Sequence, residues 1–181
     1  MNHFFITGMP RSRTAWLANL LTYGPSFCYH DLTRETRDSV EFGVRLQSAE
    51  ALVSGDSDSG LLLDVEKWVQ VFPRARWVLI HRNAEECEKS FRRYFHPERP
   101  YPGVTEGVIG PAFQVCVERF EAAKVALKDR VLNVNFNDLW QEDVVEGVWQ
   151  WCLPGTRFPR ARWGMLETFQ VNVMPEKLSE I

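Results

Sequence analysis

Short apolar runs alternate along the chain with longer segments whose apolar positions recur every three to four residues. The runs at residues 4–7 (FFIT), 27–30 (FCYH), 61–64 (LLLD), 77–81 (WVLIH) and 131–136 (VLNVNF) read as strands, each brief and rich in β-formers. Residues 12–23, 39–51, 65–72, 84–95, 111–127 and 142–152 carry the helical period. Strands separated by helices are joined by crossovers rather than hairpins, so the expected fold class is α/β, a mostly parallel central sheet with helices on both faces. Loops are expected at residues 54–60 and 97–110, the second rich in Pro and Gly and long enough to close over a substrate. No repeat, low-complexity tract or linker interrupts the pattern. Residues 1–181 are therefore expected to form one domain.

Composition narrows the picture. Apolar residues make up 45% of the chain and aromatics 13%, with seven Trp, enough for an independent core. No window approaches the length of a membrane span, and the first residues lack the charged and apolar regions of a signal peptide. Cys28, Cys87, Cys116 and Cys152 are scattered without metal-ligand spacing. They are expected to stay reduced, as packing residues in a cytoplasm. A formal net charge of -3 argues against a general nucleic-acid surface and leaves room for a local basic cleft.

The most informative stretch is residues 4–21, FFITGMPRSRTAWLANLL, a buried strand, a tight turn and an amphipathic helix. Gly8 and Pro10 break the strand, and Ser12 and Thr14 stand where a helix begins. Such a turn aims backbone N–H groups and the positive end of a helix dipole at one spot, which suits an anion. Arg11 and Arg13 add charge. A nucleoside-triphosphatase loop reads G-x-x-x-x-G-K-[ST]; counted from Gly8, this chain has Arg13 at the second glycine and Thr14 at the lysine. The missing lysine argues against the usual hydrolysis of ATP or GTP. Residues 76–95, RWVLIHRNAEECEKSFRRYF, repeat the order strand, turn, helix, with an arginine at the strand end and Ser90 about two turns later. Arginine brings a forked donor set that suits an oxyanion.

Both motifs resemble those of sulfotransferases that use 3′-phosphoadenosine 5′-phosphosulfate (PAPS). P-R-S-x-T-x-W is similar to the 5′-phosphosulfate loop, roughly P-[KR]-S-G-T-[TS]-[WL]. Arg82, Asn83, Glu86 and Ser90 match the 3′-phosphate motif R-N-P-x-[DE]-x-x-x-S, with Ala84 in place of the proline. The resemblance implies a P-loop-like α/β/α fold and transfer of a sulfuryl group from PAPS, leaving PAP, to a hydroxyl or amine of a small molecule or an exposed acceptor group. No metal is required in relatives. It assigns Pro10, Arg11, Ser12, Arg13, Thr14, Ala15, Trp16, Arg82 and Ser90 to the cofactor, with Trp16 where relatives stack adenine and Arg11 against the leaving phosphate. Arg13 replaces a glycine of the family; it is either an extra phosphate clamp or a side chain that crowds the sulfuryl group. The R-K-G element by which cytosolic relatives hold the 3′-phosphate is missing. Residues 157–163, RFPRARW, are expected to pack beside the cofactor. Golgi-resident members carry an anchor and a lumenal domain, and neither is visible here.

The base that takes the acceptor's proton is left as a shortlist. In parallel sheets ligands gather at the carboxyl ends of strands. That nominates His30 and Asp31 after the second strand, then Asp64 after the third, with Glu35 trailing. Plainer readings stand beside these. Arg11, Ser12 and Thr14 could simply cap a helix, Arg82 and Ser90 could face solvent, and Trp16 could be core. His81 reads as a core histidine, Arg92–Arg93 as a solvated helix end, and Trp149 with Trp151 as packing. Two other functions remain open on the same scaffold, a non-catalytic PAP- or nucleotide-binding protein and a small-molecule kinase.

Overall fold

The structure, a computed structural model, describes residues 2–94 and 106–168. Among them lie the strands β1 (Asn2–Gly8), β2 (Ser26–Tyr29), β3 (Val53–Ser57), β4 (Arg76–His81) and β5 (Val131–Asn135). They form one sheet in the order β2-β3-β1-β4-β5, every neighbouring pair parallel. The helices are α1 (Thr14–Leu21), α2 (Leu32–Glu35), α3 (Ser39–Ser48), α4 (Val65–Val71), α5 (Ala84–Tyr94), α6 (Glu106–Leu127), α7 (Glu142–Cys152) and α8 (Arg160–Thr168).

The sheet separates two cores, and the strand period decides which side chain enters which. Phe4 and Ile6 of β1, with Val78 and Ile80 of β4, pack against α1, α7 and α8. Phe5 of β1, with Trp77 and Leu79 of β4, turns to the opposite face and meets α3, α4 and α6. Both faces of these central strands are buried, which is why β1 and β4 read as continuous apolar runs rather than alternating ones. Burying each such side chain is worth about 1.5–3 kcal/mol relative to leaving it exposed.

The crossover after β1 uses α1 on the first face and runs toward the β2 edge. The crossover after β3 uses α4 on the second face and returns across β1 to β4. The loops leaving β1 and β4 therefore part to opposite sides at adjacent strands. This is the switch in strand order at which open parallel sheets form a ligand crevice.

The third strand differs from expectation. Residues 61–64 belong to a 3-10 helix, Ser59–Asp64, while β3 lies in the segment read as a loop. The sequence VSGDS is polar, yet it sits between β1 and β2 with its backbone paired on both sides. Gly55 explains how so poor a strand former fits there. A Cβ at that position would stand 2.5 Å from the Phe4 carbonyl oxygen and would also meet its ring. Leu61 and Leu62 are buried as core residues of a helical turn instead. The short α2 and the last helix, α8, lie outside the helical segments expected from the sequence. Helix α6 begins at Glu106 and carries Pro111 inside it, where the sequence had suggested a start at the proline. Of the expected loop at 97–110, residues 97–105 lie outside the described residues, as does the last position of the helix expected at 84–95. No helix among the described residues is long and apolar enough to cross a membrane. The cysteines are free thiols, with Cys28, Cys87 and Cys152 buried.

Candidate functional site

Gly8 brings the loop after β1 to the crevice. Any side chain there would put a Cβ 2.7 Å from the Ile80 carbonyl oxygen on β4, so glycine is what lets the two strands run together to their ends. The turn then passes through two left-handed residues, Arg11 at φ 71° and Arg13 at φ 62°, before α1 begins at Thr14. Mixed left- and right-handed backbone of this kind turns successive N–H groups toward one concave spot, and the helix end adds partial positive charge. Ser12 is buried within the turn, its Oγ 4.0 Å from the Cys87 sulfur on α5. Pro10 and Ala15 flank it, half-buried. The Thr14 carbonyl accepts a hydrogen bond from Ser57 Oγ at 2.9 Å, which ties the loop to the end of β3.

The second motif reaches the same place from β4. Arg11 Nε donates to Ser90 Oγ at 3.4 Å across a sequence separation of 79. Arg82 donates through Nη1 to the Arg11 carbonyl. The Arg82 guanidinium lies 3.8 Å from the centre of the Phe136 ring. Its Nε is buried and makes no hydrogen bond, with the Glu86 carboxylate 3.9 Å away. Asn83 accepts from the Glu86 amide at 3.1 Å and so caps α5. Beside Arg82 opens a cavity of about 530 Å³ whose lining mixes Lys124 and Phe136 with the carboxylates of Glu86, Glu121 and Asp138.

Arg13 does neither thing the sequence allowed. Its side chain leaves the loop and inserts between the rings of Trp16 and Trp140, 4.2 and 3.4 Å from their centres. What it contributes to the crevice is backbone. Trp16 is 3% exposed in the α1 core, which fits the packing reading and leaves no open face for a purine. Residues 157–163 pack on α1, where Arg162 donates twice to the Asn19 carbonyl at 2.9 and 2.6 Å.

A second polar group gathers at the carboxyl ends of β2 and β3. His30 Nδ1 donates to the Ser57 carbonyl at 2.7 Å, which fixes that tautomer and leaves Nε2 facing Asp31 Oδ1 at 3.6 Å. The other Asp31 oxygen pairs with Arg34 at 3.1 Å. Asp58 follows β3 and is fully buried. It accepts from the Gly60 amide at 2.6 Å, from the Thr33 amide at 3.3 Å and from the Thr33 hydroxyl. Burial first, then the charge of Asp31, push the Asp58 carboxyl up to about 6. Burial also pushes Asp56 well above the usual carboxylate range, with the charge of Asp58 adding to it. One Asp56 oxygen receives the Leu32 amide at 3.5 Å and the other is buried without a partner.

These two carboxylates were not anticipated, because they lie in the segment read as a loop. Their D-S-D spacing puts them two residues apart at a strand end, and that was the available signal. The strand-end argument that nominated Asp64 passes to them. Asp64 itself is exposed at the end of the 3-10 helix, and Glu35 is exposed and pairs with Arg45 at 3.4 Å. Among the described residues no group of three or more His, Cys, Asp or Glu is arranged to hold a metal ion.

No family model and no curated protein matches the sequence. Solved structures do. A sulfotransferase from Alicyclobacillus acidocaldarius superposes with TM-score 0.67 at 11% identity, covering 94% of this chain and 92% of that one. This chain has the sulfotransferase fold. Sulfotransferase STF9 from Mycobacterium avium gives 0.66 at 13% identity, with 94% and 69% covered. Mouse sulfotransferase SULT7A1, complexed with PAP, gives 0.58 at 15% identity, with 92% and 64% covered.

Within this sulfotransferase fold Trp149 and Trp151 serve packing. Trp149 is buried against Phe158, and Trp151 donates its indole N–H to the Trp77 carbonyl at 2.9 Å. His81 is hydrogen-bonded to Asn133 at 2.7 Å and meets Phe120 edge-on.

The raised Asp58 carboxyl predicts a pH-dependent stability. Its folded value, about 6, exceeds the unfolded 3.8, so the folded chain holds this proton more tightly. The stability it contributes is complete below about pH 4 and is lost as pH rises through 6. Asp58→Asn stays neutral throughout and can still accept from Gly60, while its amide nitrogen gives up the two bonds from Thr33 at every pH alike. Urea unfolding at pH 4.5 and 7.5 should show the wild type losing about 2 kcal/mol more than the variant over that interval.

Proposed function

We propose that the protein is a PAPS-dependent sulfotransferase, acting on a hydroxyl or amine of a small molecule or an exposed acceptor group. The observation that carries this reading is the meeting of the two anion motifs, Arg11 with Ser90 and Arg82 with the Arg11 carbonyl, at the switch point of the sheet. The residues fit the group. The Arg82 guanidinium lines the cavity and its buried Nε makes no hydrogen bond, with only the distant Glu86 carboxylate beside it, which supports a role in gripping an oxyanion.

When bound, PAPS supplies an activated sulfuryl group whose leaving group is a stable phosphate. Arg82 and Ser90 would hold its 3′-phosphate, and Phe136 keeps the Arg82 fork oriented by stacking. The backbone of residues 10–14, Arg11 and the hydroxyls of Ser12 and Thr14 would hold the phosphosulfate end. Because these donors are fixed before reaction, they can stabilise charge as it develops without reorganising. The half-buried His30–Asp31 pair takes the acceptor's proton, with Ser57 holding His30 Nδ1 and Asp58 standing behind Asp31.

A binding-only reading loses one of its grounds, since the Arg13 side chain is turned away from the loop and does not crowd it. A kinase reading lacks the loop lysine. Calorimetric titration with PAP and with ATP–Mg²⁺ separates these functions. PAP is expected to bind at least tenfold more tightly, and labelled PAPS to transfer its sulfuryl group to some member of an acceptor panel. Preference for ATP–Mg²⁺ would overturn the proposal; PAP binding without transfer to any acceptor would support the binder instead.

A further inference from the structure

Arg13 sits at a left-handed position, which an arginine occupies only at a cost in backbone strain. Something offsets that cost. Nη1 donates to the Leu139 carbonyl at 2.7 Å and Nη2 to Glu167 at 2.9 Å. The guanidinium lies over the rings of both Trp16 and Trp140. Trp140 is 53% exposed, an unusual place for an indole unless it shields something, while the Arg13 side chain beneath it is only 11% exposed. The Arg13 carbonyl meanwhile accepts the Leu17 amide at 3.0 Å and so starts α1.

We propose that Arg13 is a positioning residue that locks the anion-facing loop from behind and makes α8, through Glu167, part of that loop's support. The front of the loop is held by Arg82 and by Ser57, but both grip carbonyl oxygens at its two shoulders, Arg11 and Thr14. Between them Arg13 reaches across the first core to the turn after β5 and to α8, at sequence separations of 126 and 154. A charge-assisted bond to Glu167 and two cation–π contacts, partly desolvated, hold one backbone conformation more firmly than a flexible cation could. A preset loop spends less of its binding energy on ordering itself around an anion. Lysine would keep the charge but not the planar fork or the stack.

The identity of the ligand rests on the sulfotransferase reading, whereas the lock does not, so the test has two arms. Hydrogen exchange of amides 11–14 is followed in the ligand-free protein, and PAP affinity is measured by calorimetry, for Arg13→Gly, Arg13→Lys, Trp140→Ala and Glu167→Gln. Arg13→Gly relieves the backbone strain and removes the lock. Its loop amides should exchange at least tenfold faster with those of β1 and β4 unchanged, and PAP binding should weaken about tenfold. Arg13→Lys should fail to restore either value, and Trp140→Ala and Glu167→Gln should each move exchange in the same direction by a smaller factor. Loop protection equal to wild type in Arg13→Gly, or in both distal variants should that one not fold, overturns the lock. Failure of the wild type to bind PAP overturns the sulfotransferase reading and leaves the exchange result to decide the lock alone.

Discussion

Arg82→Ala is expected to weaken PAP binding by a hundredfold or more while weakening AMP, which lacks the 3′-phosphate, by less than about fivefold. Hydrogen bonds between a charged donor and an oxyanion are each worth about 1.5–3 kcal/mol, and a guanidinium fork can make two. Loss of both reaches two or more orders of magnitude at about 1.4 kcal/mol per tenfold. The residual effect on AMP comes from the Arg11 carbonyl, which loses its donor when the side chain is cut away. Because Phe136 remains, the cavity keeps its apolar wall. Paired titrations of both nucleotides against wild type and variant read the difference. Equal losses would mean that Arg82 shapes the loop and does not recognise the 3′-phosphate.

Asp31→Asn should lower turnover by a factor of about a hundred to a thousand and leave PAP affinity within twofold. A positioned base typically contributes 10²–10⁴ in rate, and an amide of the same shape cannot take the proton. Arg34 can still be bonded by the amide oxygen, so the left-handed turn at Asp31 should survive. His30→Asn should also fall in rate, because Nε2 faces Asp31 and its orientation depends on the bond to Ser57. Single-turnover measurements at saturating PAPS isolate the step. Full rates in both variants would remove the pair from the mechanism and shift attention to Asp58.

How much could be read from the residues depended on whether local preference and tertiary placement agreed. For β1 and β4 they agreed, since both are apolar on two faces. Gly8 ends β1, Arg82 follows β4, and Ser90 lies two turns into α5, positions that the strand–turn–helix pattern of the sequence already indicated. For β3 they disagreed. VSGDS has little strand propensity and acquires its ladder from neighbours on both sides, while LLLD has the composition of a strand and buries Leu61 and Leu62 from a 3-10 turn. That misplacement concealed Asp56 and Asp58, whose raised carboxyls come from burial that no local pattern reveals. Arg13 was opaque for a related reason: its partners Leu139, Trp140 and Glu167 lie far along the chain, so its charge could be seen but not its direction.

The alternation of Phe4, Phe5 and Ile6 between the two cores has a consequence for how this chain can change in length. Deleting one residue inside β1 would send each later side chain of that strand to the wrong side and rotate Gly8 away from Ile80. The same slip would reach the turn beyond it, whose carbonyls and Arg13 side chain are held at fixed positions by Arg82, Ser57 and Leu139. Insertions and deletions are thus tolerable only outside a frame running from the first strand into α1, and any homologous chain should keep the distance from Phe4 to Thr14 constant to the residue.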